Sequence, residues 1–246
     1  MKKTKKILTT VVTILIIFAA VFLVWANQSY KPNFNVEDFI KSNDRVTIQI
    51  DKNIVINPKD KKVEKGFIFY PGGKVDPKAY IPIASKISEE GYRVVITPMP
   101  LNLAIFNKNK ADNVIKENRD IKVWAIGGHS LGGVMAADYA FNHTDNIKGL
   151  ILLASYPQDK NNFTGKNIKT LSLWGSEDKV AKLDKVKSAK NILPSDAVFY
   201  EIKGGNHGQF GSYGKQKGDG EAKITEEEQQ KISAEYIVKL LDKINK

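Results

Sequence analysis

Residues 121–141 read IKVWAIGGHSLGGVMAADYAF, and this stretch combines an apolar run, a glycine-rich turn and an amphipathic segment. The apolar run at 121–126 predicts a buried strand, and the apolar positions from Leu131 onward recur at helical spacing. Between them stands Gly128-His129-Ser130-Leu131-Gly132, a G-x-S-x-G pattern in strand–turn–helix context. The glycines permit a tight turn that presents Ser130 at a helix N-terminus, where backbone amides favour negative charge. The stretch therefore predicts a nucleophilic Ser130.

A serine hydroxyl needs a base within hydrogen-bonding reach, and this chain offers three histidines. His207 lies in a glycine-rich loop directly after the last predicted strand, so we expect it to be the general base. His129 precedes the serine inside the turn, where its side chain is expected to point away from the site. His143 follows the helix in a polar turn, which is typical of a surface or capping residue.

A catalytic histidine needs a carboxylate to orient it, and Asp178 follows the predicted strand that ends at Trp174. Glu177 is the second candidate and Asp196 the third. Asp178 could equally cap a helix predicted over 179–190. The order serine, aspartate, histidine along the chain favours the catalytic interpretation of Asp178.

An oxyanion needs two backbone donors, and the amide of Leu131, directly after the nucleophile, is one candidate. The second is expected in the loop Pro71-Gly72-Gly73 after an earlier strand; the amide of Gly73 is favoured, with Lys74 next to it. Residues 101–106 form an unusually apolar segment that should flank the site. Lys74, Leu103 and Phe106 are the predicted substrate-binding residues.

Strands alternate with helices along the chain, and most strands are continuous apolar runs. Strands are predicted at 45–50, 53–57, 66–70, 92–97, 121–126, 148–154, 170–174 and 197–202. Helices are predicted at 78–90, from about 107 to 118, at 131–141, 179–190 and 225–244. This order indicates an α/β fold with an antiparallel entry, then a mostly parallel sheet covered on both faces. Sites in such folds lie at the carboxyl ends of the strands, where the candidate residues would converge.

The N-terminus predicts a membrane segment. Residues 1–6 are basic and 7–26 are apolar, interrupted only by threonines, a length that spans a bilayer core of about 30 Å as a helix. We expect a signal anchor with the lysines in the cytoplasm and the domain outside; cleavage after Ala26, which would release a secreted protein, is the alternative. Residues 27–43 are polar and predict a tether to a domain over 44–246.

The amino-acid composition excludes several classes of function. The chain of 246 residues has no cysteine, which excludes disulfides and thiolate chemistry. The net charge is +11, of which the four lysines of residues 1–26 supply +4 and the remainder of the chain +7. A positive charge of this size could attract the protein to an anionic envelope surface, or it could reflect an ordinary lysine-rich surface without a specific partner. The lysines are scattered and match no nucleic-acid-binding motif. We expect no nucleic-acid partner, and a monomer.

The chain from about 66 to 241 resembles the α/β-hydrolase superfamily, in particular its small bacterial, dienelactone-hydrolase-like branch. The resemblance rests on Gly128-His129-Ser130-Leu131-Gly132, on Gly175-Ser176-Glu177-Asp178 and on Gly205-Asn206-His207. It implies a Ser130–His207–Asp178 triad and neither a metal nor an organic cofactor. The sequence departs from the family at Tyr70-Pro71-Gly72-Gly73, which lacks the His-Gly pair common in lipases and esterases.

Residues 155–169 are too few for the helical lid that many relatives carry between these strands. An open site is therefore expected, between residues 101–106 and the glycine-rich segment 208–220, suited to a small acyl-bearing substrate. The sequence predicts a serine hydrolase that cleaves an ester or related acyl bond. An acyltransferase to a cell-envelope acceptor and a non-enzymatic envelope binding module remain as alternatives.

Overall fold

A computed structural model describes residues 2–245 and contains one sheet of eight strands. The strands are β1 (Val46–Ile50), β2 (Ile54–Pro58), β3 (Lys65–Tyr70), β4 (Arg93–Ile96), β5 (Val123–His129), β6 (Ile147–Leu153), β7 (Lys169–Gly175) and β8 (Val198–Ile202). Their order is β1-β2-β4-β3-β5-β6-β7-β8. β2 is antiparallel to both β1 and β4, and the other pairs are parallel. The predicted antiparallel entry and parallel sheet are confirmed.

Helices cover both faces of the sheet. The α-helices of the described residues are α1 (Lys2–Asn27), α2 (Val36–Ser42), α3 (Ile81–Glu89), α4 (Lys110–Glu117), α5 (Leu131–Asn142), α6 (Leu183–Ser188) and α7 (Glu226–Lys243), of which α3 and α7 pack in one core and α4 and α5 in the other. Successive β3 side chains point to opposite faces of the sheet and pack in two separate cores. Phe67 and Phe69 pack with α3 and α7 on one face, and Ile68 packs with α4 and α5 on the other. A strand buried on both faces needs apolar residues throughout, which explains the continuous apolar runs.

Most element boundaries differ from the expectation by one to three residues, and two of the differences bear on the site. β5 continues through Gly127 and Gly128 to His129, because these residues pair with β6. A side chain at Gly127 would overlap Ile151 of β6, so glycine permits this pairing. The helix expected over 179–190 starts only at Leu183, since the residues after Asp178 form a turn that its carboxylate caps. Residues 154–168, between β6 and β7, contain no helix.

The N-terminal helix α1 lies outside the buried cores of the domain and contacts the domain near the C-terminal end of the helix. Its segment Lys3–Trp25 is long and apolar enough to cross a membrane, a property that signal sequences share, and its described side chains are exposed. The segment expected to be a tether, 27–43, returns to the domain. Tyr30 forms an isolated parallel β-bridge with Val75. Asn35 caps helix α2, and Phe39 of that helix packs against the core.

Candidate active site

Ser130 occupies a strained turn between β5 and α5. Its backbone has φ 51° and ψ −123°, a left-handed conformation that is costly for a residue with a side chain and that marks functional sites when the surroundings enforce it. The Ser130 amide donates to the Leu153 carbonyl at 2.9 Å, and the Ser155 hydroxyl donates to the Ser130 carbonyl at 2.9 Å. The end of β6 and the residue Ser155 that follows it thus hold the turn in place, and the Ser130 side chain is half-buried at the strand ends.

The glycines of this turn are required by close packing against the loop after β3. A methyl group at Gly132 would overlap the carbonyl oxygens of Tyr70 and Pro71, and one at Gly128 would overlap that of Tyr70. The first turn of α5 therefore lies directly against the loop that is expected to supply the second oxyanion donor. Only glycine permits this approach of two backbones.

His207 and Asp178 form a buried pair. His207 Nδ1 lies 2.9 Å from Asp178 Oδ2, and the other carboxylate oxygen accepts the amides of Val180 and Ala181, each at 2.8 Å. Because an ionised carboxylate only accepts hydrogen bonds, the proton of the imidazole lies on Nδ1. Nε2 of His207 then carries a lone pair, as a general base requires.

Helix α7 and the loop that contains Asp219 hold the segment around His207. The side chain of Gln229 accepts the Asn206 amide at 2.9 Å and donates to the Asn206 carbonyl at 2.8 Å. The Gly208 amide donates to Asp219 at 2.8 Å. Sequence analysis did not identify Gln229; the only signal is a glutamine on the apolar side of α7, where it is fully buried.

His129 does not point away from the site, so that expectation is wrong. Its ring is buried and lies 4.5 Å, centroid to centroid, from the ring of His207. The Tyr80 hydroxyl lies 2.9 Å from His129 Nδ1 and also accepts the Gly72 amide at 3.0 Å. The Tyr80 hydroxyl thus joins the Gly72 amide to His129 Nδ1, and these residues link the loop after β3 to the side chains that pack behind His207.

Burial lowers the pKa of His129 well below its usual range, and the nearby charge of His207 lowers it further. Desolvation disfavours the imidazolium form, so His129 is neutral at pH 7. A neutral ring can pack against His207 without opposing the charge that His207 would gain as a base.

The loop after β3 offers one free amide near Ser130. The Lys74 amide donates to the Asn102 carbonyl at 2.8 Å and is therefore occupied. Among residues 2–245, no hydrogen bond engages the Gly73 amide, and Gly73 lies beside the side chains of Leu131 and Leu103. The Leu131 amide, at the first position of α5, has no intrahelical acceptor.

The three predicted substrate-binding residues lie in different surroundings. Leu103 lies next to Gly73, whereas the Lys74 ammonium lies 4.0 Å from the ring centroid of Trp25 at the end of α1. Phe106 is 52% exposed and contacts Phe22 of α1 edge to face. The loop after β4 thus extends from the candidate oxyanion site to the N-terminal helix.

Asp138 of α5 joins two segments beside the site. It accepts Lys108 at 2.6 Å and Asn161 at 3.2 Å, and pairs with Lys160 at 3.1 Å. Burial raises the pKa of Asp138, but these hydrogen bonds outweigh burial and lower it to about 2. The ionised carboxylate therefore anchors the segment that follows residues 101–106 and the loop after β6.

The other candidates have different partners. Glu177 pairs with Lys223 at 2.9 Å, and Asp196 pairs with Lys169 at the surface. His143 stacks on the ring of Tyr139 at the end of α5. Neither alternative carboxylate contacts His207 among the described residues, and no group of three His, Asp or Glu side chains in that part of the chain could hold a metal ion.

The structure thus brings two of the three proposed catalytic side chains into contact. It joins Asp178 to His207, but no hydrogen bond links the described side chains of Ser130 and His207. Their connection runs through His129, the residue before Ser130, whose ring packs against His207. In enzymes without substrate the nucleophile–base hydrogen bond is often long and tightens on binding.

Comparisons with known proteins show the family of this chain. A model described as "Alpha/beta hydrolase family" matches residues 66–231. The fold is similar to that of a predicted CIB-like hydrolase from Thermoplasma acidophilum, with TM-score 0.60 and 17% identity over 79% of this chain and 99% of that one. It is also similar to Est1E from Butyrivibrio proteoclasticus, solved with ferulic acid bound, with TM-score 0.58 and 13% identity over 81% of this chain and 98% of that one.

No curated protein matches the chain in sequence. The two structural likenesses, at such low identity, concern the fold. The family model covers well over half of the chain, from the start of the parallel sheet into α7. The chain therefore belongs to the α/β-hydrolase family.

Proposed function

We propose that the protein is a serine hydrolase that cleaves an ester or related acyl bond through an acyl-enzyme. The observation that carries the proposal is the buried Asp178–His207 pair, with a basic Nε2, beside the strained turn of Ser130. A glycine-rich turn alone would need neither a buried carboxylate on the histidine nor free amides nearby.

In the proposed reaction, Ser130 Oγ attacks the substrate carbonyl while His207 Nε2 takes the hydroxyl proton. The amides of Gly73 and Leu131 donate to the oxyanion, and Asp178 holds the proton on Nδ1 and stabilises the imidazolium. His207 then gives its proton to the leaving alcohol. A water molecule, activated by the same imidazole, releases the acid and restores Ser130.

We also propose that α1 anchors the protein in a membrane, with the domain on the side opposite the lysines of residues 2–6. The support is the apolar span Lys3–Trp25 and the basic residues that precede it. The domain would then act outside the cytoplasm.

Turnover of p-nitrophenyl acyl esters tests the function. Ser130→Ala and His207→Ala should each abolish it, whereas His143→Ala, which removes a histidine from the far end of α5, should retain it. A feruloyl ester belongs in the panel because Est1E, which shares the fold, binds ferulic acid. Full turnover by Ser130→Ala would overturn the proposal.

A further inference from the structure

The last turns of α1 pack against the loops that border the candidate site. The rings of Phe22 and Phe106 meet edge to face, with centroids 6.4 Å apart and planes at 84°. One turn later, Trp25 lies under the Lys74 ammonium, 4.0 Å from the ring centroid. The helix that could cross a membrane therefore ends at the mouth of the site.

This packing determines the depth of Phe106 relative to a bilayer. Phe22 lies three residues before Trp25, about 4.5 Å further along the helix at 1.5 Å per residue. Tryptophan favours the interface between hydrocarbon and headgroups, and Trp25 is the last residue of the segment Lys3–Trp25 that could cross a membrane. A ring in contact with Phe22 then lies at the outer edge of the hydrocarbon.

Ile105 and Phe106 form an apolar tip suited to that depth. They are 58% and 52% exposed, more than any other large apolar side chain outside α1 in residues 2–245. The others in that part of the chain, Ile50, Val180 and Val198, are isolated from one another in sequence. Adjacent exposed apolar residues mark an interaction surface, and the nearest apolar phase is the membrane that α1 would occupy.

The same loop connects this tip to the candidate oxyanion site. Leu103 contacts Gly73, and the Asn102 carbonyl accepts the Lys74 amide. Phe106 is three positions after Leu103, which limits the distance between their Cα atoms to about 11 Å. Leu101 and Asn102 have φ of 55° and 54°, a strained backbone that the surrounding contacts maintain.

We propose that the apolar tip, Ile105 and Phe106, enters the membrane leaflet in which α1 ends, and that the substrate is an acyl-ester lipid of that leaflet. The substrate class rests on the proposed hydrolase function; the membrane contact does not. The lipid carbonyl reaches Ser130 across Leu103 without leaving the interface. Water cleaves the ester to a fatty acid and the remaining alcohol, both of which stay in or beside the leaflet.

The positive charge of the protein also favours an orientation in which the apolar tip faces the membrane. Lys74 holds an ammonium group beside Trp25, at the level of the lipid headgroups. Beyond residues 1–26 the chain carries a net charge of +7, which attracts an anionic surface. The apolar tip and its flanking cation are together typical of a protein surface that rests on a membrane.

Depth-dependent quenching tests the membrane contact. The chain has no cysteine, so Ile105→Cys creates one labelling site, and Val198→Cys is the control at the opposite, amino edge of the parallel strands. The full-length protein is placed in phospholipid vesicles that contain lipids brominated on the acyl chain. The fluorophore at 105 should be quenched several-fold more than that at 198; equal quenching would overturn the proposed contact.

The ratio of two activities tests the substrate class. The same vesicles contain a fluorogenic diacyl phospholipid, and p-nitrophenyl acetate is assayed in parallel. Ile105→Asp should lower the ratio of lipid to acetate turnover at least tenfold, and Val198→Asp should leave it within twofold. An unchanged ratio in Ile105→Asp, or acetate turnover by the natural protein without lipid turnover, would overturn the substrate class. Absence of acetate and lipid turnover together would instead overturn the proposed hydrolase function.

Discussion

Asp178 Oδ2 lies 2.9 Å from His207 Nδ1, while Oδ1 of the same carboxylate accepts the amides of Val180 and Ala181. Capping a turn and orienting a histidine are usually considered as alternative roles for an aspartate at such a position. Here one oxygen performs each role. The turn fixes the carboxylate, and the fixed carboxylate then fixes the tautomer and the plane of the imidazole.

Asp178→Asn separates these two roles. The amide oxygen can still accept Val180 and Ala181, but the amide nitrogen donates to His207 Nδ1 and moves the imidazole proton to Nε2. We expect ester turnover to fall on the order of 10⁴-fold, as in serine proteases with this change. The free energy of unfolding should change by less than about 1 kcal/mol, because the turn keeps its hydrogen bonds.

Glu177→Gln is the matched control, since the Glu177 side chain forms a surface pair with Lys223 and accepts a hydrogen bond from the Ser176 hydroxyl. Exposed pairs contribute at most about 1 kcal/mol, so stability and turnover should stay close to those of the natural protein. Stopped-flow assays and urea unfolding measure both quantities. Substantial turnover in Asp178→Asn would show that another carboxylate orients His207.

Tyr80→Phe removes the hydroxyl that joins the Gly72 amide to His129 Nδ1. Both partners are buried and would lose their hydrogen bond, at about 1–3 kcal/mol each. We expect the free energy of unfolding to fall by about 2 kcal/mol or more in urea titrations. Tyr139→Phe, whose partner Asp112 is exposed, should cost less than about 1 kcal/mol. Equal losses in both variants would contradict the assigned network.

Stability should depend on pH through His129. The pKa of His129 is lowered in the folded protein by burial, then by the charge of His207, and lies near 6.5 in the unfolded chain. The unfolded chain therefore binds more protons below about pH 6.5, and stability decreases as the pH falls, by up to about 1.4 kcal/mol per unit. His129→Gln should remove this part of the slope in urea titrations between pH 7.5 and 5. An unchanged slope would show that other groups cause it.

Gly132→Ala tests the close approach of α5 to the loop after β3. The added methyl overlaps the carbonyl oxygens of Tyr70 and Pro71, so the backbone must shift and the Leu131 and Gly73 amides separate. We expect loss of ester turnover together with a loss of stability above about 2 kcal/mol. Gly165→Ala is the comparison, because Gly165 has φ 77° but no neighbour within 4 Å; it should cost only about 1 kcal/mol and retain turnover. Similar behaviour of both variants would contradict the packing argument.

Local patterns in the sequence predicted the sheet, its antiparallel entry and the turn at Ser130. These features were predictable because apolar runs, glycine positions and the order of elements can be recognised from short stretches of sequence. The start of α6 was not predictable, because the carboxylate of Asp178 is used by a turn and by His207, 29 residues away. Propensity alone continues the helix back to residue 179.

The side-chain contacts behind the site could not be predicted from the sequence either. His129 lies against His207 because Tyr80, 49 residues earlier, fills the space on its other side. Gln229 reaches the backbone of Asn206, 23 residues earlier in the chain, from the helix predicted at 225–244. The contact of Phe22 with Phe106 joins segments that no local signal connects. Each depends on distant residues that meet only in the folded chain.

Labelling with a fluorophosphonate probe, followed by peptide mass spectrometry, tests the central claim that Ser130 is an activated nucleophile. We predict one covalent adduct per chain, on the peptide that contains Ser130, and loss of that adduct in Ser130→Ala and in His207→Ala. A natural protein that remains unlabelled, or an adduct that persists in Ser130→Ala, would contradict the account.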